Sequence, residues 1–306
     1  MLNSDDRLFK GNSSGEENKI TLLAIVGPTA SGKSGLAMKI AEKFNGEIIA
    51  ADSRTIYKGM DIGTAKPTKE DQEHVKHHGL DLIEPGKKYN AAKFKKSAED
   101  KIVSIQRRGK LPILVGGTGL YIDSVLFDYS FIGRKLSIRH RLFYPWRSVE
   151  WLQKMIARKD WPMPQNKFNR RHLIATIRRR GQVGTRSTRI RPEVLVVGLL
   201  PPDEILRERI GKRAERIFKE GVIEETKRLI KIYGRRALQK NGGIVYQICL
   251  RVLKNELSQT QAIEIYKSKD WQYARRQKTW FKRNKSIKWF SDSSTAFDYL
   301  KSVLNT

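Results

Sequence analysis

The stretch that most constrains this chain is Gly27-Pro28-Thr29-Ala30-Ser31-Gly32-Lys33-Ser34, set between the apolar run 21–26 and a segment, 35–41, that reads as helix. It satisfies the pattern G-x-x-x-x-G-K-[ST] with a buried strand before it and a helix after it, the context the pattern needs. The glycines let the backbone curl so that successive N–H groups point inward, and the helix N-terminus adds its positive end. Lys33 supplies a mobile charge and the Ser34 hydroxyl a ligand for Mg²⁺. The plainer alternative, a strand–turn–helix that happens to carry glycines, gives no reason for every fixed position to be filled. Residues 27–34 are therefore expected to cradle a di- or triphosphate, and the pattern leaves open which one and what becomes of it.

With 306 residues, 39% of them hydrophobic, the chain can build one large α/β domain and a smaller one. A net charge of +29 calls for a polyanionic partner, nucleic acid ahead of a membrane surface. No apolar run approaches the roughly 18–20 residues of a membrane span, and the start lacks a basic-then-apolar signal, so the expectation is a cytoplasmic protein that does not engage a membrane. The single cysteine, Cys249, excludes an internal disulfide and a cysteine-based zinc site, and its apolar neighbours Ile248 and Leu250 predict a buried side chain.

Along the chain, residues 1–18 are polar and aperiodic and read as a flexible tail. The run 47–53 reads as a second strand with Asp52 at its C-terminal end, the edge where parallel sheets bind ligands. The stretch 60–67 reads as a loop, and His74, His77 and His78 lack the carboxylate or cysteine that would complete a metal site. Phe94, Ala98, Ile102 and Ile105 mark an amphipathic helix over 91–106. The strand 111–115 ends in Gly116-Gly117-Thr118 where many nucleotide hydrolases carry a Mg²⁺-binding aspartate, which leaves Asp52 as the strand-end carboxylate beside the cradle. The run 194–199 returns to the sheet. From Asp203 a helix places Ile205, Leu206, Ile210, Ile217, Phe218 and Val222 on one side; one of the arginines between them is a candidate lid over the cradle, the others solvated surface.

Residues 131–192 carry 17 Lys or Arg against two acids, interleaved with Phe143, Tyr144, Trp146, Trp151, Trp161 and Phe168. Apolar residues at helical spacing (Trp151, Leu152, Met155, Ile156; Leu173, Ile174, Ile177) predict a small helical insertion whose core takes some of these aromatics. Its arginines suit a phosphate backbone. Residues 270–283 again mix aromatics with cations, a pairing that suits unstacked RNA bases. The expected fold is α/β: a P-loop NTPase-like parallel sheet with flanking helices (19–130 and 193–306) plus the basic helical insertion (131–192).

The cradle, Asp52-Ser53, the uninterrupted Asp61-Ile62-Gly63-Thr64-Ala65-Lys66-Pro67, Gly116-Gly117-Thr118, Arg209 with Arg213, and Tyr273-Ala274-Arg275-Arg276-Gln277 together resemble the tRNA dimethylallyltransferase family, in its order and over nearly the whole folded chain. The resemblance implies transfer of a dimethylallyl group from its diphosphate to the exocyclic amine of the adenosine 3′ of the anticodon, with Mg²⁺ on Ser34 and a monomeric enzyme. The P-loop, Gly27 to Ser34, would then hold a diphosphate leaving group in place of ATP. It further implies Asp52 as general base, Thr118 as hydrogen-bond donor to the bridging oxygen and Arg213 on the diphosphate. The tRNA anticodon stem-loop would fall to Asp52, Ser53, Arg54, Thr55, Arg139, Arg170, Arg171, His172, Arg179, Arg180, Tyr273, Arg275 and Arg276.

The chain departs from the family pattern at Thr55, usually Gln; at His172, Ala175 and Arg178, where two arginines and a glutamate are usual; and at Asp270-Trp271, usually Thr-Arg. These changes touch individual RNA contacts more than the chemistry. A P-loop kinase of a small metabolite would share the cradle and Asp52 but has no use for a basic, aromatic insertion. An RNA-binding P-loop ATPase would explain the charge but calls for a further Mg²⁺-binding acid. A relative that prenylates free adenylate would need no RNA grip.

Overall fold

The computed structural model describes residues 20–132 and 143–305; the tail expected at 1–18, and Arg139, lie outside them. Six strands, β1 (Leu22–Val26), β2 (Gly46–Ala50), β3 (His77–His78), β4 (Leu111–Gly116), β5 (Val194–Leu199) and β6 (Lys288–Phe290), form one parallel sheet in the order β3-β2-β4-β1-β5-β6. The central strands are apolar throughout because helices cover both faces of a parallel sheet. Pairing of Val26 with both Gly116 and Gly198 brings the C-terminal ends of β1, β4 and β5 to one edge.

The helices are α1 (Lys33–Lys43), α2 (Lys69–His74), α3 (Ala91–Arg107), α4 (Gly119–Leu126), α5 (Val149–Arg158), α6 (Arg170–Arg179), α7 (Asp203–Lys219), α8 (Val222–Tyr233), α9 (Arg235–Asn241), α10 (Gly243–Val252), α11 (Gln259–Phe281) and α12 (Ser293–Leu304). The α/β architecture is the expected one, and it divides into two compact units: Phe127–Arg189, and the remainder.

In the larger unit, Leu36, Ala37 and Ile40 of α1 and Ala296 and Leu300 of α12 pack on β1, β4 and β5. A second core joins 56–60 to α7, α8, α10 and α11, with Cys249 fully buried in it as expected. Some boundaries differ from the sequence reading. The second strand stops at Ala50; Ala51 N–H still bonds Val115 O of β4, but Asp52 stands in the loop beyond. The helix from Asp203 ends at Lys219: Gly221 takes φ +94° and Val222 opens a new helix into the same core, while Ile205 is 40% exposed and off the apolar face. The aromatic, basic stretch 270–283 is the end of a longer helix that starts under a Ser258–Gln261 capping box. Strands β3 and β6 carry too few residues for periodicity to show.

In the smaller unit, Leu152 and Ile156 of α5 and Leu173 and Ile177 of α6 enclose a core with Tyr144, edged by Trp151 and Trp161. Trp146 and Phe168 remain outside, 87% and 71% exposed. The aromatics noted in the sequence thus split between core and surface. Among the described residues no helix is long and apolar enough to cross a membrane.

Glu47 on β2 is 2% exposed and sits among His78 Nε2 at 2.7 Å, Arg108 Nη2 at 2.7 Å and Lys110 Nζ at 3.3 Å. Burial alone would raise its carboxyl, but these three partners outweigh it and hold it at about 2. Because the folded value lies below the ordinary 4.5, the cluster stabilises the fold above that pH and loses its effect as pH falls toward about 2. Glu47→Ala should lower the unfolding free energy by about 3 kcal/mol at neutral pH, the low end for removal of one partner of a buried ion pair, because Arg108 and Lys110 keep access to water. Urea unfolding followed from pH 7 to 2.5 should show the deficit shrinking below about pH 4.5; a deficit independent of pH would assign the loss to packing.

Candidate active site

β1 leads into the cradle through Gly27, whose Cβ would collide with Leu199 O, and Gly32 at φ +93° turns the chain into α1. The first intrahelical bond runs from Leu36 N–H to Gly32 O, so the amides before Leu36 have no intrahelical partner and can face an anion. Lys33 Nζ donates to Pro28 O at 3.0 Å. Ser34, at the first turn, lines the same cavity.

That cavity, about 390 Å³, lies at the C-terminal edge of the sheet and brings Thr29, Lys33, Ser34, Asp52, Ser53, Arg54, Thr55, Arg213, Tyr273 and Arg276 together. β4 makes this closeness possible: a Cβ on Gly116 would overlap Ala51 O, so a larger residue would push Asp52 away from the cradle. Asp52 Oδ1 accepts Arg54 N–H at 2.7 Å, which sets its loop. Thr118 Oγ1 accepts Ser53 N–H at 3.1 Å, so it stands close to Asp52. Arg54 Nη1 reaches Asn241 O, and Thr55 is buried with its hydroxyl unpaired among the described residues.

Two of the arginines on the helix from Asp203 reach the cradle. Arg213 Nη1 donates to Thr29 Oγ1 at 2.7 Å, and Arg209 Nη1 to Ser31 O at 3.3 Å. Arg213 Nε is buried without a partner among the described residues, a donor an anion would satisfy. Burial works against its charge, but Tyr266, Asp270 and Asp52 keep Arg213 protonated. Arg275 is exposed and away from the cavity wall. In the smaller unit Arg170 donates to Pro145 O, Arg171 and His172 are exposed on α6, and Arg179 and Arg180 close that helix, Arg180 as its left-handed cap.

Three features escaped the sequence reading. Asp52 is not the sole carboxylate beside the cradle: Asp270 reaches it from α11, 5% exposed, with Oδ2 3.5 Å from Thr29 Oγ1. Gln277 accepts Thr29 N–H and donates to Gly117 O, both at 2.8 Å. Glu225 of α8 accepts the amides of Asp61, Ile62 and Gly63 and the Tyr246 hydroxyl, which shapes the 61–67 loop on the cavity wall. Helical spacing marks 266, 270, 273 and 277 as one stripe, but nothing local says what it faces. Two aromatics assigned to RNA in the sequence reading are engaged internally: Phe281 is buried, and Trp280 Nε1 donates to Asp123 Oδ2 at 2.8 Å.

A parallel sheet with a phosphate cradle at its switch edge, a carboxylate and hydroxyl opposite and two arginines closing over it define a P-loop α/β protein acting on a phosphorylated ligand. A family profile described as IPP transferase matches residues 55–284, and the chain belongs to that family. It is 36% identical to the "tRNA dimethylallyltransferase" of Macrococcus caseolyticus over 295 residues, covering 92% of this chain and 94% of the relative. It is 37% identical to the protein of that name from Pelotomaculum thermopropionicum, covering 90% and 92%. The fold matches the crystal structure of a full-length tRNA isopentenylpyrophosphate transferase from Bacillus halodurans (TM-score 0.70, 30% identity, 94% of this chain and 97% of that one). It also matches a eukaryotic dimethylallyltransferase solved acting on tRNA (TM-score 0.71, 25% identity, 85% and 69%).

Burial, with repulsion from Arg213, lowers Lys33 to about 8 against the pull of Asp52 and Asp270. A bound polyanion raises it again, so binding takes up a proton and weakens as pH rises through about 8. Calorimetry with inorganic diphosphate at pH 8, in buffers of different ionisation heat, should register more proton uptake for the wild type than for Lys33→Arg, which stays charged throughout. Equal uptake would place the titrating group elsewhere.

Proposed function

We propose that this enzyme transfers a dimethylallyl group from dimethylallyl diphosphate to the N6 amine of the adenosine 3′ of the anticodon in tRNA, releasing diphosphate. The observation that carries the reading is one cavity whose wall holds the phosphate cradle with Lys33 and Arg213 together with Asp52, while Thr118, bonded to the neighbouring Ser53 N–H, stands next to that wall. A kinase of a small metabolite would share the cradle and Asp52 but has no use for the basic, aromatic smaller unit.

The adenine nitrogen attacks C1 of the dimethylallyl group, the C1–O bond to diphosphate breaks, and the proton lost from nitrogen passes to the Asp52 carboxylate. Lys33, Arg213 and the α1 amides stabilise the charge that gathers on the leaving group, and the Thr118 hydroxyl donates to the bridging oxygen. The donor set fits Mg²⁺: Ser34, at the first turn of α1 and on the cavity wall, is the kind of hydroxyl that holds this ion beside substrate phosphates. When bound, Mg²⁺ supplies further positive charge at the diphosphate. The base must leave its stack to reach the cavity, which costs less in a loop than in a duplex.

The smaller unit grips the anticodon stem-loop through Arg170, Arg171, His172, Arg179 and Arg180, with exposed Trp146 and Phe168 as surfaces on which bases stack. Arg54, Arg276 and Tyr273 line the cavity that receives the adenosine. The enzyme works in the cytoplasm, as a monomer.

Incubation with unmodified tRNA, dimethylallyl diphosphate and Mg²⁺, followed by nucleoside mass spectrometry, should reveal dimethylallyl adenosine without ATP consumption. Asp52→Asn should cut single-turnover transfer by about 10²–10⁴-fold without weakening dimethylallyl diphosphate binding. A near-normal rate with a shifted Mg²⁺ requirement would make Asp52 a metal-site residue instead. If roughly five phosphates are neutralised, tRNA affinity should fall with salt at a log–log slope of about −3.5 to −4.5. Reversing the charge of Arg179 and Arg180 together should flatten that slope by up to about two units, and filter binding from 50 to 300 mM salt checks it.

A further inference from the structure

Among the described residues the acidic side chains on the cavity wall are Asp52 and Asp270, and the mechanism above uses only Asp52. Asp270 lies behind Thr29, whose hydroxyl accepts Arg213 Nη1 at 2.7 Å and points toward Asp270 Oδ2 at 3.5 Å. Burial raises its carboxyl above the usual range, and Arg213, Lys33 and the Thr29 hydroxyl offset only part of that rise, so the group shares one field with both cations of the cradle. A carboxylate so placed works against binding a polyanion, and a buried charge that opposes the ligand calls for a reason.

The reason lies in the chemistry of the two ligands. The substrate is an ester of diphosphate, with at most three ionised oxygens. The product is free diphosphate, with a fourth. A fixed negative charge therefore penalises product more than substrate. A site that held the released product as firmly as the substrate would be slowed by a product that stays bound.

We propose that Asp270 is a counter-charge built into the diphosphate cradle, which weakens binding of released inorganic diphosphate more than that of the allylic ester and so speeds product release. The proposal rests on the transferase reading above and goes beyond it by giving one residue control of product affinity. Asp270 acts through the field and not through contact with reacting atoms, so its removal has a signature that a supporting role would not produce, a gain in affinity.

Calorimetry without tRNA, so that nothing turns over, with the full chain at fixed Mg²⁺ would compare inorganic diphosphate and dimethylallyl diphosphate on wild type, Asp270→Asn and Asp270→Thr. Removing one partly buried unit charge should tighten diphosphate on the order of tenfold, and the ester by roughly threefold. Inhibition of transfer by added diphosphate should strengthen in parallel. The two variants differ in shape and share only the loss of charge, so a gain common to both reports charge. Unchanged or weaker diphosphate binding in both would overturn the proposal and make Asp270 a prop for Thr29 and Arg213. Equal gains for both ligands would overturn its product selectivity. A wild type that bound no diphosphate would remove the transferase reading as well, whereas a wild type that binds it and variants that bind no tighter would remove the proposal alone.

Discussion

The bridge made by the Gln277 amide is the contact on which the site depends. Its oxygen takes the Thr29 amide of the cradle and its nitrogen gives to Gly117 O in the loop after β4, so one side chain sets the spacing between phosphate site and Thr118. Both bonds are buried, where an unpaired amide or carbonyl costs more than the bond itself contributes. The bridge is held because Gln277 belongs to α11, whose Ala262, Tyr266 and Ala274 are buried against neighbouring helices. Packing along this helix thus fixes the geometry inside the cavity.

Two electrostatic regimes coexist in the molecule. At long range the chain is strongly cationic, +29 overall, which favours encounter with a nucleic acid and is sensitive to salt. Inside the cavity the charges are mixed: Lys33 and Arg213 face Asp52 and Asp270, and burial strengthens each interaction. A cavity with only cations would hold any polyanion well. In the reading proposed above, the carboxylates make it selective in what it holds and in which proton it accepts.

The two compact units solve different physical problems. The larger has a covered parallel sheet and two cores, and it carries chemistry that needs groups placed to within fractions of an ångström. The smaller is a pair of short helices closed on five buried side chains, enough to fold a basic surface that presents exposed aromatics and arginines. Backbone recognition tolerates looser placement than bond making, so a small core suffices there.

The local pattern determined a great deal. Residues 27–34 specify their own turn and helix start, because glycines, a lysine and a hydroxyl at those spacings have few other uses, and the apolar runs at 22–26, 111–116 and 194–199 could only be covered strands. The departure at Asp270 was visible too, as a residue out of pattern, though the sequence reading placed its effect on RNA contacts. Only the tertiary structure decided where that residue points. Asp270 and Gln277 lie 241 and 248 positions from Thr29 along the chain, and Glu225 lies 164 from Asp61. Such pairs meet because α8 and α11 pack on neighbouring helices and against the loops of the cavity at particular rotations, and rotation about a helix axis is set by the sum of buried contacts, which no local spacing records.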